Sequence, residues 1–301
     1  MDARTLGRHG LVSSAIGLGT AAFTGAYGPA DARESVRVIR HALDLGVTML
    51  DATARFPGSF PGSEVERLVG RAIAGRRDRV VLAALARADG RRQGLAGACD
   101  AALRRFGVDH IDVYYLDCAT WRRPVEEGVG ELAALVAAGK VRHIGLSEPS
   151  AEQIRRAAAE QPVSVIACEY SLWRRQAELD RLPAAREHRI GVVACRPLGR
   201  GFLAGTIRSA AQLAEGDVRH GDPRFEPYAI ERGLRALRPA EETAARLHLG
   251  LGRLALAWLL ARGGDVVPIP STRSRVHLEM NVSAAAVDAD LAGLDGLFPW
   301  D

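Results

Sequence analysis

Gly46-Val47-Thr48-Met49-Leu50-Asp51-Ala52-Thr53-Ala54-Arg55-Phe56 is an apolar, strand-forming run that ends on a carboxylate. Similar compact apolar runs occupy residues 80–85, 111–116, 163–167 and 191–195. Their near-continuous hydrophobicity is that of strands buried on both faces. Longer amphipathic runs at 63–69, 95–106, 125–138 and 151–159 separate them and read as helices. Alternation of this kind predicts βα units around a parallel sheet, and eight repeats close as an α/β fold of the (β/α)8 TIM barrel type. In that fold the C-terminal ends of the strands carry the chemistry, so the position of Asp51 marks it for attention.

The punctuation agrees with this architecture. A short N-terminal β-hairpin is expected around residues 5–14, Ser150 is placed to cap a helix, and Gly139 to end one where a left-handed turn is needed. One long loop follows strand seven, from about 206 to 238, rich in charge and containing Gly221-Asp222-Pro223. Loops of that length in a compact domain are usually functional. A helix over 240–262 and a last strand over 266–270 complete the pattern.

With 301 residues, 48% of them hydrophobic, the chain reads as one barrel domain over 1–301. The net charge of +4 comes from arginines scattered over helices, without a basic run interleaved with aromatics, so no nucleic-acid partner is expected. No charge-free apolar stretch is long enough for a bilayer, and the N-terminus lacks a signal-peptide core, which gives a soluble, cytoplasmic expectation without a membrane partner. Cys99, Cys118, Cys168 and Cys195 show neither metal-ligand spacing nor disulfide density, in keeping with a reducing compartment. No metal site is expected.

The opening segment resembles the second barrel strand of aldo-keto reductases, in which an aspartate is followed five residues later by the tyrosine that acts as acid. Asp51 keeps the aspartate, while Phe56 stands at the tyrosine position and has no proton to donate. Residues 80–85 resemble the third strand, with Leu85 where the family has a lysine; residues 111–117 resemble the fourth, with Asp117 where it has a histidine. Lys140 to Glu148, Glu169 to Trp173, Pro197 to Gly205 and Pro268 to Arg273 with Asn281 follow in family order, so the resemblance spans nearly the whole chain.

The resemblance implies a nicotinamide cofactor in the barrel mouth, oriented for hydride transfer. Ser147 and Glu148 fall where the family clamps the carboxamide, Ala167 where it has glutamine, and Cys195 where it has a stacking tyrosine. The phosphate half is better kept: Leu198, Gly199 and Gly201 belong to a loop whose amides face an anion. Ser271, Arg273 and Asn281 resemble the 2'-phosphate and adenosine segment, with His277 and Met280 replacing the usual arginine and glutamate. The alternative is that the glycines merely turn the chain and Arg273 is a solvated charge. Cofactor expectations are therefore none, or residual NADP(H) binding.

Three functional readings follow, and a small-molecule substrate is the expected partner. The leading expectation is a non-redox step, such as dehydration, isomerisation or cyclisation, in which Asp51 and Asp117 exchange protons and Arg55 or Arg196 orients the substrate. Phe56, Leu85, Trp121 and Cys195 would then line its pocket. Like charges close together in a dry mouth would raise one carboxyl pKa and make an acid/base pair. The alternatives are an atypical NADP(H)-dependent oxidoreductase acting on a carbonyl and a catalytically silent dinucleotide-binding or interaction protein.

Overall fold

In the computed structural model, which describes residues 1–53, 62–86 and 94–298, an antiparallel hairpin of β1 (Ala3–Leu6) and β2 (Leu11–Ser14) precedes the barrel. Eight parallel strands follow in sequence order: β3 (Leu18–Gly19), β4 (Met49–Asp51), β5 (Val81–Ala86), β6 (Ile111–Asp117), β7 (Val141–Ser147), β8 (Val163–Glu169), β9 (Gly191–Cys195) and β10 (Val266–Pro268). The amides of Gly17 and Gly19 donate to the carbonyls of Pro268 and Pro270 at 3.0 Å, which joins the first strand to the last. Helices α1 (Ala32–Asp44), α2 (Gly62–Ile73), α3 (Gly94–Phe106), α4 (Val125–Ala137), α5 (Ala151–Glu160) and α6 (Arg181–Glu187) connect successive strands, and α7 (Pro227–Arg246), α8 (Leu251–Leu260) and α9 (Arg275–Val282) complete the outer layer.

Alternation along each strand decides what faces the site. Tyr114 and Leu116 pack outward against the helices, whereas Val113 and Tyr115 point into the barrel with Met49, Ala83, Val165 and Val193. Side chains two apart share a face, so Asp51, Leu85, Asp117, Ser147 and Cys195 cap inward-facing rows at the C-terminal rim. Gly145 makes room for the Tyr115 ring, since a Cβ there would lie 2.4 Å from Tyr115 Cδ1. At the opposite end Leu6 and Leu11 of the hairpin seal the interior.

The capping expectations hold. Ser150 accepts from the Gln153 amide in a full capping box, and Gly139 has φ +73 just past α4. Two boundaries differ. The connection after β9 is shorter than 206–238, because α7 begins at Pro227, where proline's fixed φ suits the first helical position. Its buried stripe of Ile230, Gly233, Leu237, Ala240 and Ala244 has helical spacing that the many charges around it hide. The helix read over 240–262 is two helices: His248 turns left-handed at φ +51, and Gly250 is the N-cap of α8.

Candidate active site

A cavity of about 800 Å³ opens at the C-terminal end of the barrel. Asp51, Leu85, Asp117, Ser147 and Cys195 line it from the strand ends. Asp51 is 2% exposed. Its Oδ1 accepts from the Thr53 amide at 3.1 Å and from the Thr53 hydroxyl, while Oδ2 is buried with no hydrogen-bond partner among the described residues. Burial, opposed by the Thr53 hydrogen bonds, pushes its carboxyl up to about 6. Asp117, the neighbour expected to cause such a shift, lines the same cavity, but burial is what raises the Asp51 carboxyl. Leu85 supplies no cation to reverse the effect of burial. Burial also raises the Cys195 thiol well above its ordinary value, with Asp51 adding to the effect, which disfavours a thiolate nucleophile.

Beyond the strand ends the wall becomes ionic. Glu148 and Arg196, both at φ +49, face the cavity from the residues just after β7 and β9. Arg196 lies 3.4 Å from Glu148 and 3.2 Å from Glu169, and Glu148 also pairs with Arg181 at 3.0 Å. Arg224 bridges Glu169 and Asp222, and Asp222 reaches Arg200 at 3.5 Å. These alternating charges fix the guanidinium groups without leaving a cluster of one sign.

Midway along the groove, Arg196, Arg200 and Arg219 act together on the Tyr27 phenol, each opposing the rise that burial causes in its pKa. The Arg219 guanidinium sits 5.0 Å from the Tyr27 ring centroid and donates to the Arg200 carbonyl at 2.9 Å. The turn that holds Arg200 is left-handed at Gly199, Arg200 and Gly201. A Cβ on Gly201 would lie 3.3 Å from Arg219 Nη1, so glycine keeps the backbone open toward the groove. Arg219 also pairs with Asp217 at 2.6 Å, and the Gly201 amide donates to the Leu198 carbonyl at 3.0 Å, so the donors that this stretch could offer a pyrophosphate are the three guanidinium groups, each already held by a carboxylate. Leu198 and Gly201 line the groove; Gly199 instead packs on Trp173, whose Cε3 would be 2.8 Å from an added Cβ.

The far end is formed by Ser271, Thr272, Arg273, His277, Met280 and the buried Asn281. Ser271 Oγ accepts from the Ala22 amide at 2.7 Å. Arg273 donates to the carbonyls of Tyr27 at 3.1 Å and Gly28 at 3.0 Å, and also to that of Pro29. Its guanidinium thus pins the segment after β3 across the groove.

The structure therefore brings Asp51, Leu85, Asp117, Cys195, Ser147, Arg196, Leu198, Gly201, Ser271, Arg273 and Asn281 to one cavity. Trp121 is not in its wall: the indole donates to the Pro124 carbonyl at 3.0 Å and lies under the Arg123 guanidinium. The loop after β6 turns back onto α4, and Ala119 and Thr120 take the lining role. Arg55 and Phe56 lie outside the described residues. Sequence reasoning missed Tyr27 and Arg219, which no periodicity marks, and quoted Arg200 only as part of its loop. Among the described residues no cluster of His, Cys, Asp and Glu is arranged to hold a metal, and no helix is long and apolar enough to cross a membrane.

Comparisons with known proteins overturn the leading functional expectation. Schizosaccharomyces pombe aldo-keto reductase yakc [NADP(+)] is 37% identical over 289 residues, covering 91% of this chain and 84% of that protein. The glycerol dehydrogenase AKR11B4 from Gluconobacter oxydans has a similar structure, with a TM-score of 0.81 at 28% identity over 93% of this chain and 90% of its own. An aldo-keto reductase from Klebsiella pneumoniae, solved in complex with NADPH, matches with a TM-score of 0.76 at 28% identity over 99% and 96% of the two chains. These relatives are named as oxidoreductases, so a dehydration, isomerisation or cyclisation, and with it a lyase or isomerase, is not the reading they support. The physical error lay in treating the substitutions at the strand ends as decisive, although the groove beyond them retains a wall suited to a dinucleotide. Residues 15–295 match the Aldo/keto reductase family, and the chain belongs to that family.

Proposed function

We propose that this protein is an NADP(H)-dependent oxidoreductase that interconverts a small carbonyl compound and its alcohol. The observation that carries this reading is the continuity of one groove, from Asp51 and Asp117 past Arg196, Arg200 and Arg219 to Ser271 and Asn281. A dinucleotide is long, doubly anionic at its middle and reactive at one end, and the groove has that sequence of properties. The NADP(+)-named yeast relative and the NADPH complex of the Klebsiella protein support the choice of cofactor.

When bound, the cofactor supplies or accepts the hydride. The chain's part is to hold the phosphates with the three arginines, and to keep the reacting end under Ser147 and Glu148. Asp51, buried and with its carboxyl raised to about 6, gives the proton that the carbonyl oxygen gains and takes it back in the reverse direction. Asp117 and Arg196 orient the substrate's polar groups at the rim, and Leu85 and Cys195 exclude water from the floor.

Titration with NADPH, followed by quenching of tryptophan fluorescence, tests the first half. Trp173 packs directly behind the phosphate turn and reports on it. Saturable binding at micromolar cofactor, followed by substrate-dependent loss of absorbance at about 340 nm with a panel of aldehydes and ketones, is the expected result. Absence of binding at millimolar NADPH would refute the reading.

A further inference from the structure

Asp51 Oδ2, the Tyr115 hydroxyl and Thr20 Oγ1 are buried polar atoms with no hydrogen-bond partner among the described residues. They are not scattered. Thr20 follows β3, its amide donates to the Asp51 carbonyl at 3.1 Å, and both residues line the floor of the cavity. Tyr115 points into the barrel from β6, and its phenol is within electrostatic reach of the Asp51 carboxylate and the Cys195 thiol. Buried polar groups without partners cost free energy, and several together mark a position that a water molecule fills. Replacement of tyrosine by phenylalanine would have filled the same space, with the ring seated on Gly145, so packing alone does not account for the hydroxyl.

We propose that Tyr115 is a positioning residue of the proton-donating site: its hydroxyl and Asp51 Oδ2 share a buried water, with Thr20 Oγ1 as a third partner, and this water holds and replenishes the Asp51 proton. The proposal rests on the reductase reading for its catalytic consequence, but the hydrogen-bonded unit exists independently of it. In carbonyl reduction the carbonyl carbon takes the hydride, the oxygen takes the Asp51 proton, and the Asp51 carboxylate left behind is reprotonated from solvent through the shared water. In its carboxylate form Asp51 accepts from that water, and Tyr115 donates to it. The hydroxyl therefore stabilises the ionised state and lowers the proton affinity of Asp51.

The other titratable groups facing this unit are few. Asp117 ends β6, Glu148 and Arg196 stand at the rim and are paired with each other, and Cys195 is held as a neutral thiol by burial. Among the described residues, β5 contributes Leu85 at this level.

Infrared difference spectroscopy of the apoprotein reads the unit without turnover. A buried carboxylic-acid C=O band that titrates with a midpoint near 6 and is lost in Asp51→Asn is the expected assignment. Tyr115→Phe is then expected to raise that midpoint by at least about half a pH unit, roughly three-fold in proton affinity, and to move the alkaline limb of kcat by the same amount. The NADPH Kd should stay within about two-fold of wild type, because Tyr115 does not touch the groove. An unchanged midpoint in a folded Tyr115→Phe protein would overturn the proposal and leave Tyr115 a packing residue. If that variant does not fold, uniform incorporation of 3-fluorotyrosine, whose more acidic phenol is the stronger donor, should lower the midpoint; no change there would be equally fatal. If the infrared shift is present but no carbonyl is reduced, the reductase reading fails and the hydrogen-bonded unit survives.

Discussion

Replacing Asp51 with asparagine should make the protein more stable above neutral pH, although it removes the proposed acid. Asp51 is buried, and its carboxyl rises from 3.8 to about 6 on folding. A raised carboxyl pKa means that the native state binds the proton more tightly than the unfolded chain does. The associated stability is fully present below the unfolded value and is lost as pH rises through the folded one. Between about pH 4.5 and about pH 8 wild type therefore loses on the order of 2 kcal/mol from this one group. Asp51→Asn cannot ionise, keeps an Oδ1 for the Thr53 donors, and should not show that loss. Urea unfolding at a series of pH values, with both proteins compared at each, isolates the effect because all other titrations cancel in the difference. The stability difference should move by about 2 kcal/mol in favour of the asparagine variant as pH rises. A difference constant to within about 0.5 kcal/mol would refute the claim that burial raises the proton affinity of this carboxyl.

Leu85→Lys would introduce an ammonium at the same floor; it is expected to lower the Asp51 midpoint and shift the alkaline limb of any reductase activity to lower pH, as read by the infrared titration. Arg219→Ala should weaken NADPH binding by about ten-fold and flatten its dependence on salt, measured by calorimetry at two ionic strengths. Arg273→Ala releases the carbonyls of Tyr27, Gly28 and Pro29; if its main work is to hold that segment, the variant should open the groove to faster NADPH dissociation, seen by stopped-flow fluorescence, and bind NADPH and NADH with an unchanged ratio. Asp112→Ala, at the far end of the barrel, removes a carboxylate partner of Arg77 and Arg142 and the acceptor for the Leu82 amide, and should cost about 1–3 kcal/mol in thermal or denaturant unfolding without changing cofactor affinity.

Much of the site's position was legible in the chain because strand geometry is local. A run that ends Met49-Leu50-Asp51 puts Asp51 two residues beyond an inward-facing Met49, and the same count places Leu85, Asp117, Ser147 and Cys195 on the rim. The rim's chemistry was less legible. Two aspartates on neighbouring parts of the barrel mouth suggested mutual repulsion, whereas burial alone accounts for the rise at Asp51. Trp121 followed a strand end as pocket residues do, but its indole found Pro124 nearer at hand.

The sequence by itself determined the barrel, the strand-end row and the turn at Leu198 to Gly201, because hydrophobic period and glycine placement act through neighbouring residues. Only the tertiary structure decided which arginines meet at Tyr27, that Arg273 fastens the segment after β3, and that three polar atoms are stranded beneath the mouth. Those relations join positions as far apart in the chain as 27, 115, 219 and 273, and packing rather than local propensity sets the distances between them.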